Sequence, residues 1–306
     1  MLWLFGDTFI ATSDAHVRRE SVMVRNSIGI QQGYDPSTAT MTFYWRGAGG
    51  IGGGAVPESF FPEQGEQWSW PGHGARLGDA LILFLLDERA VSGGLGFESV
   101  GTRALLIDNS DDDPSAWSSR DVPLPANDFG VAVGAGGVMV DGAWVYAYSP
   151  VEPGDHDVYL VRWTAVAADA GDLSTPEWWD GAGWSGAAVP VFTGGQTEFT
   201  VHRDARRGDY VAVQTVGFGA AEVAVRTAPA PEGPWSSPAN VFHPPESDRP
   251  DALVYAGKAH PELLGADEVV TYVSNNFDFA TLVDDSSFYF PRFVRLTWEP
   301  TPARDR

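Results

Sequence analysis

The stretch Leu2-Trp-Leu-Phe-Gly-Asp-Thr8 reads as an apolar strand that runs into a polar end, and this pattern returns four more times. The later copies are residues 80–86, 144–149, 210–215 and 269–275. Each of them follows a turn that carries an aspartate, and these aspartates lie 62, 68 and 58 residues apart: Asp79, Asp141, Asp209 and Asp267. Such a near-regular recurrence indicates a repeat architecture. We interpret it as one hairpin repeated five times, in which the copy at residue 2 has lost its leading strand.

Short strands with period-two alternation and many turn residues dominate the rest of the chain. We expect one strand over 20–30, an inner strand within 127–140, and a helical candidate only at 162–171. Five copies of an inner strand followed by outer strands predict an all-β fold, a five-bladed β-propeller. Residues 1–306 would form one domain, with blades at roughly 1–60, 61–125, 126–190, 191–247 and 248–300. The first inner strand and the closing strand are missing from this pattern, and we expect a segment upstream of Met1 to supply both.

The composition narrows the classes of protein to consider. The 306 residues are 43% hydrophobic, which is enough to bury a sizeable core. The formal net charge of −22 disfavours nucleic acid, whose phosphates need basic partners. The absence of cysteine excludes disulfides, thiolate metal sites and cysteine nucleophiles. No apolar run has the length of a membrane span, and no signal peptide is visible. We expect a monomer without a membrane span.

Two segments imitate ligand-binding loops. The glycine-rich run Gly47–Gly54 lacks the Gly-Lys-Ser/Thr ending of a phosphate loop, so we interpret it as a connector. The acidic run Asp108–Asp113 lacks the spaced ligands and the glycine of an EF-hand, so we interpret it as a solvated turn. A structural calcium there has no support, and we predict no cofactor and no metal.

In a propeller, the starts of the inner strands and the ends of the second strands approach one rim of the central channel. Three carboxylates would meet at that rim: Asp7, Asp128 and Glu198. Hydrolysis of a glycosidic bond needs one carboxyl group that protonates the leaving oxygen and one carboxylate that acts as base or nucleophile. Asp7 and Glu198 are the candidates for this pair, and Asp128 is the candidate modulator. Asp7 and Asp128 also fit turn positions, which is the duller interpretation.

Five further residues of the same rim could bind sugar hydroxyls or stack on sugar rings: Trp70, His73, Lys258, His260 and Asn275. Both histidines could equally be structural imidazoles. A single tryptophan is more often a core residue than a sugar platform. No histidine spacing supports a metal site.

Several motifs resemble those of a bacterial propeller family, the domain of unknown function 4185, some of whose members are endo-D-arabinanases. These motifs are Gly6-Asp-Thr8, Trp70-Pro-Gly-His-Gly74, Pro231-Glu-Gly-Pro-Trp-Ser236, Ala259-His-Pro-Glu-Leu263 and Tyr289-Phe-Pro-Arg-Phe293. The resemblance covers nearly the whole chain and implies an exported, carbohydrate-active propeller. It matches Asp7 to the aspartate of the family's Gly-Asp-Thr motif, and it relates Glu198 to a catalytic inner-strand position by a looser analogy.

We therefore hypothesise a glycoside hydrolase that acts on a furanose-containing, arabinan-type polysaccharide outside the cell or at its surface. The alternative is a non-catalytic carbohydrate-binding propeller, in which the two carboxylates would not be spaced for catalysis. A third possibility is a protein-interaction scaffold, which would expose an apolar patch on one face.

Overall fold

The computed structural model describes residues 1–47, 56–125, 127, 129–263 and 267–298. Strands dominate these residues, and in chain order they are β1 (Leu2–Phe5), β2 (Thr8–Ala11), β3 (Ser21–Val24), β4 (Ser27–Gln32), β5 (Thr40–Tyr44), β6 (Arg46–Gly47), β7 (Pro57–Glu58), β8 (Gln67–Leu77), β9 (Ala80–Ala90), β10 (Phe97–Ile107), β11 (Ser119–Val122), β12 (Val138–Asp141), β13 (Trp144–Pro150), β14 (Val158–Thr164), β15 (Glu177–Trp179), β16 (Trp184–Ser185), β17 (Thr200–Arg203), β18 (Tyr210–Val216), β19 (Glu222–Ala228), β20 (Ala239–Phe242), β21 (Ala252–Ala259), β22 (Glu268–Asn276) and β23 (Pro291–Leu296).

Helices are few and short in the described residues. The α-helices are α1 (Ala165–Asp169) and α2 (Phe279–Asp284), and the 3-10 helices are Arg18–Glu20, Pro114–Ala116 and Pro245–Asp248. None of these helices has the length and apolar character that crossing a bilayer requires.

Five antiparallel sheets follow one another along the chain, which confirms the predicted five-bladed β-propeller. Their spatial orders are β1-β4-β5, β8-β9-β10-β11, β12-β13-β14-β15-β16, β17-β18-β19-β20 and β21-β22-β23, and we call them blades 1 to 5. Two small ribbons, β2-β3 and β6-β7, lie outside the blades. Strand β1 lies at the edge of blade 1 and pairs with β4 from Leu2 opposite Ile30 to Phe5 opposite Ser27. A strand supplied from upstream of Met1 stays a prediction.

The hydrophobic core lies between the blades. Even-numbered side chains of β9, Ile82 and Phe84, are buried against blade 3. Odd-numbered ones, Leu83 and Leu85, are buried against blade 1. The same alternation in β13 and β18 builds the cores between blades 3 and 4 and between blades 4 and 5. Trp3 of β1 meets Val269 of β22 in a fifth cluster, and this contact closes the ring.

Several local predictions differ from the structure. The strand expected over 20–30 is broken into β3 and β4 at Asn26, whose buried amide bonds the backbone of Phe61 and Ser69. The inner strand of blade 3 is only β12, because the residues before it form turns rather than a ladder. Helix α1 falls inside the 162–171 candidate, whereas α2 was not predicted. The connector predicted at Gly47–Gly54 lies, beyond Gly47, outside the described residues.

Leu83→Ala and Phe84→Ala test the claim that one strand serves two cores. Both side chains are at most 1% exposed, so each truncation should lower the free energy of unfolding by about 3–5 kcal/mol. Because the residues lie in separate cores, the two losses should add in the double variant. Urea titration measures the free energy of unfolding of the two single variants and of the double variant. Val166→Ala, on an 81% exposed side chain, is the control and should change stability little; a small loss at either core position would contradict the account.

Glu88 of β9 is a buried carboxyl group that faces Trp68 of β8 across the strand pair. Its Oε2 and the indole nitrogen of Trp68 have no hydrogen-bond partner among the described residues. Burial is the main cause that raises the pKa of Glu88 to about 7, although a hydrogen bond from Ser99 opposes it. A carboxyl group with a raised pKa in the folded state stabilises the fold while it is protonated, and this stability is lost as the pH rises.

Glu88→Gln should therefore flatten the pH dependence of folding. The wild-type protein should lose about 2 kcal/mol of unfolding free energy between pH 5 and pH 8 through this group, and the variant should not. Urea titrations across this range measure the difference. Glu98→Gln, at an exposed ion pair with Arg89, should keep the wild-type slope. Equal slopes in wild type and Glu88→Gln would contradict the pKa that burial implies.

Candidate active site

Two inner strands carry β-bulges where the predicted site residues lie. In β8 the register shifts between Pro71 and Gly74, around His73. In β21 it shifts between Tyr255 and Lys258. Gly257 in the second bulge approaches the backbone of Gln214 so closely that a Cβ would lie 2.8 Å from its carbonyl carbon. Bulges turn side chains away from the regular alternation, and they are common beside active sites.

Asp7 follows β1 and is held by two donors from different parts of the chain. Trp70 Nε1 donates to its Oδ1 at 2.9 Å, and Arg25 Nη1 lies 3.4 Å from its Oδ2. Burial raises the pKa of Asp7, and the hydrogen bonds from Trp70 and Arg25 offset only part of this effect. Arg25 also lies over the ring of Trp68, at 4.2 Å from its centre. Asp7 is therefore a structured, partly desolvated carboxyl group rather than a simple turn cap.

Glu198 lies two residues before β17 in blade 4. The next residue, Phe199, is fully buried in the core between blades 3 and 4, whereas the side chain of Glu198 is 36% exposed. Lys258 Nζ, from β21, donates to Glu198 Oε1 at 3.0 Å. Lys258 is the only lysine in the chain, and it forms its ion pair inside the candidate site.

The charges of both predicted carboxylates influence two buried phenols, Tyr255 and Tyr289. Burial raises the pKa of Tyr255, and the charges of Glu198 and Asp7 add to the effect. Burial likewise raises the pKa of Tyr289, with contributions from Tyr255, Asp7 and Glu198.

The remaining predicted binding residues adopt specific roles. Burial and the nearby Lys258 charge lower the pKa of His73 to about 4. The same two causes lower the pKa of His260 to about 3. His260 also bonds Thr271 Oγ1 at 2.7 Å and packs against Trp3 at 4.5 Å between ring centres, so its contacts within the fold are structural. Both imidazoles are neutral near pH 7 and can donate or accept hydrogen bonds without carrying charge.

Asn275 and Trp70 also lie at the site. Asn275 ends the main run of β22 and hydrogen-bonds Tyr255 through its side chain. Trp70 uses its N–H on Asp7, while its ring meets Phe97 edge to face at 4.6 Å. These contacts make Trp70 a positioning residue for Asp7, whereas its predicted stacking on sugar stays a prediction. Asp128, the predicted modulator, lies outside the described residues.

Sequence reasoning missed several residues that shape the site. Arg25, Tyr255 and Glu152 carry no local motif that distinguishes them. Glu152 Oε1 accepts hydrogen bonds from Thr197 at 2.7 Å, next to Glu198, and contacts His156 Nδ1 at 2.8 Å. Tyr289 opens the Tyr289–Phe293 motif, so that motif could have pointed to it. In the ranges that the structure describes, no group of three or more histidine or acidic side chains is arranged to hold a metal ion.

These features define the class of protein: a five-bladed β-propeller with carboxyl groups held near strand ends of different blades. The family described as "Domain of unknown function (DUF5005)" matches residues 1–298, so the chain belongs to that family. The finer resemblance to the domain of unknown function 4185 is not confirmed by this match. No curated protein matches the chain.

Solved structures share the architecture. A Bacteroides ovatus protein, provisionally assigned as a hydrolase, is similar at a TM-score of 0.71 and 16% identity, over 96% of this chain and 81% of its own. An endo-arabinase from Bacteroides thetaiotaomicron is similar at a TM-score of 0.48 and 10% identity, over 92% of this chain and 91% of its own. An α-L-arabinofuranosidase from Podospora anserina is similar at a TM-score of 0.48 and 11% identity, over 89% of this chain and 84% of its own. At these identities the first likeness shows the fold, and the other two carry no further argument.

Trp70→Phe tests how Asp7 is held. Removing the indole N–H takes a donor from the ionised carboxylate, so the pKa of Asp7 should rise further. Carbon NMR titration of labelled aspartate carboxyl groups measures the shift. Trp117→Phe is the matched control, because its N–H bonds the backbone oxygen of Asp112 instead. An unchanged or lowered pKa for Asp7 in Trp70→Phe would contradict the described geometry.

Proposed function

We propose that the chain is a glycoside hydrolase that cleaves a neutral, furanose-containing polysaccharide of the arabinan type. The single observation that carries this proposal is that Asp7 and Glu198, near strand ends of blades 1 and 4, are each held by a side chain from another blade, Trp70 and Lys258. Hydrolysis of a glycosidic bond requires a pair of carboxyl groups in one site. Export to meet such a polysaccharide is part of the proposal.

The contacts of the two carboxyl groups suggest different roles. Burial raises the pKa of Asp7, and a carboxyl group with a raised pKa suits the proton donor. Lys258 forms an ion pair with Glu198 through Oε1, and an ion pair needs the ionised carboxylate, which suits a base or nucleophile. Asp7 is therefore the proposed proton donor, and Glu198 is the proposed base or nucleophile.

The surroundings suit uncharged sugars. His73, Asn275 and the phenols of Tyr255 and Tyr289 are neutral groups that exchange hydrogen bonds with hydroxyls. The net charge of −22 disfavours acidic polysaccharides. Asp128 stays the proposed modulator of the proton donor, and His260 a proposed hydroxyl ligand.

Asp7→Asn and Glu198→Gln test the proposal on arabinan and arabinogalactan. Each should lower the kcat for release of reducing ends by about 10³-fold or more, because an acid or base of the reaction is lost. On an aryl furanoside with a good leaving group, Asp7→Asn should recover much of its rate, since such a group departs without a proton. Glu198→Gln should stay inactive on both substrates.

Asp121→Asn and Glu98→Gln are the matched controls, since both carboxylates form exposed ion pairs with arginines away from the site. Full turnover by both test variants would overturn the assignment of the pair. If the wild-type chain binds these glycans without releasing reducing ends, it is instead a carbohydrate-binding propeller.

A further inference from the structure

Three exposed phenylalanines follow β18 and β22, and two of them lie close in the chain to the candidate residue Asn275. Phe218, Phe277 and Phe279 have exposed fractions of 72%, 53% and 57%, and such exposure of neighbouring large apolar side chains indicates a binding surface. Phe218 and Phe277 lie in loops, and Phe279 is the first residue of α2. Phe218 follows β18, and the other two follow β22, which carries Asn275. We call these three side chains the aromatic strip.

Ring contacts connect the aromatic strip to the site. Phe218 and Phe277 have ring centres 6.0 Å apart. Phe279 lies 6.3 Å from Phe9, and Phe9 meets Tyr289 edge to face at 5.8 Å. Tyr289 is one of the phenols whose pKa burial raises, with contributions from both carboxylates. Phe279 is therefore linked to Tyr289 through Phe9, and Phe218 and Phe277 form a second ring pair, in which Phe277 lies two residues after Asn275.

Hydrogen bonds fix the backbone of α2, which carries Phe279. The carboxylate of Asp278 accepts hydrogen bonds from the N–H groups of Ala280 and Thr281 and so caps α2. Arg18 donates to the carbonyl oxygens of Leu282 and Phe288, which holds α2 against the segment before β3. The Arg18 guanidinium also lies 5.4 Å from the centre of the Phe9 ring. The ring positions are thus set by contacts that do not need a ligand.

We propose that the aromatic strip binds further sugar units of the polysaccharide whose scissile bond lies between Asp7 and Glu198; this inference rests on the proposed function. Aromatic faces stack on the apolar faces of sugar rings, and such rings gain affinity at little entropic cost. Asp278 lies between Phe277 and Phe279 in the chain, and the carbonyl oxygen of Asp251 accepts a hydrogen bond from the N–H of Phe277, so a neutral glycan fits there better than an anionic lipid surface. A site that binds several sugar units on one side of the scissile bond favours cleavage at internal bonds of a long polysaccharide.

The test compares long and short substrates with Phe218→Ala, Phe277→Ala and Phe279→Ala. Each should weaken binding to arabinan in affinity gel electrophoresis about 10-fold and raise the KM for arabinan similarly. The kcat on a p-nitrophenyl furanoside should not change, because that substrate does not reach the strip. Phe218→Trp, which retains a stacking ring, should keep the wild-type affinity and shows that the loop still folds.

Phe43→Ala is the matched control, since Phe43 is 48% exposed and also contacts a single ring, Phe5. If the three strip variants keep wild-type affinity for arabinan and arabinogalactan, the inference is overturned while cleavage by the wild type leaves the proposed function standing. If the wild type binds without cleavage and the strip variants bind more weakly, the strip stands and the proposed function fails. Loss of self-association, or of binding to anionic vesicles, in Phe218→Ala with unchanged glycan binding would assign the strip to another occupant and overturn the inference.

Discussion

Burial of the second strand of each blade on both of its faces is the constraint on which the structure depends. In β9, β13 and β18, successive side chains enter different cores, so each strand joins its blade to both neighbours. β1 behaves in the same way, with Trp3 packed against blade 5 and the side chains of Leu2 and Leu4 against blade 2. A one-residue slip of any such strand would exchange its two faces and disrupt two cores at once. The register of the whole ring is therefore strongly determined.

This rigid ring makes it possible to hold costly groups at the strand ends. A desolvated carboxyl group such as Asp7 is tolerated because Trp70 and Arg25 are placed to donate to it. Lys258 offsets the charge of Glu198 and at the same time keeps the nearby imidazoles neutral. The bulges in β8 and β21 provide the departures from regular alternation that bring these side chains together. The middle parts of the strands thus supply the cores that stabilise the fold, and the strand ends and bulges supply the residues of the candidate site.

Much of the fold follows from local pattern, since an apolar run marks the strand buried on both faces in every blade and a turn containing aspartate precedes it in blades 2 to 5. Asp7, Glu198 and Lys258 could be selected because the ends of such strands converge in a propeller. The roles of Arg25, Tyr255 and Tyr289 could not be predicted, because they depend on contacts between residues far apart in the chain. The break at Asn26 depends on a buried amide that bonds a distant segment, and no local pattern reports it. The exposed rings of the aromatic strip likewise become adjacent only when blades 4 and 5 are assembled.

The central claim is that one sugar chain lies across both carboxyl groups. The most direct measurement is a crystal structure of the Glu198→Gln variant with an arabino-oligosaccharide of about eight units, a length suited to a cleft rather than a single pocket. The account predicts a glycosidic oxygen within hydrogen-bond distance of Asp7, with residue 198 on the opposite face of the adjoining sugar ring. Sugar bound only away from Asp7 and residue 198 would contradict it.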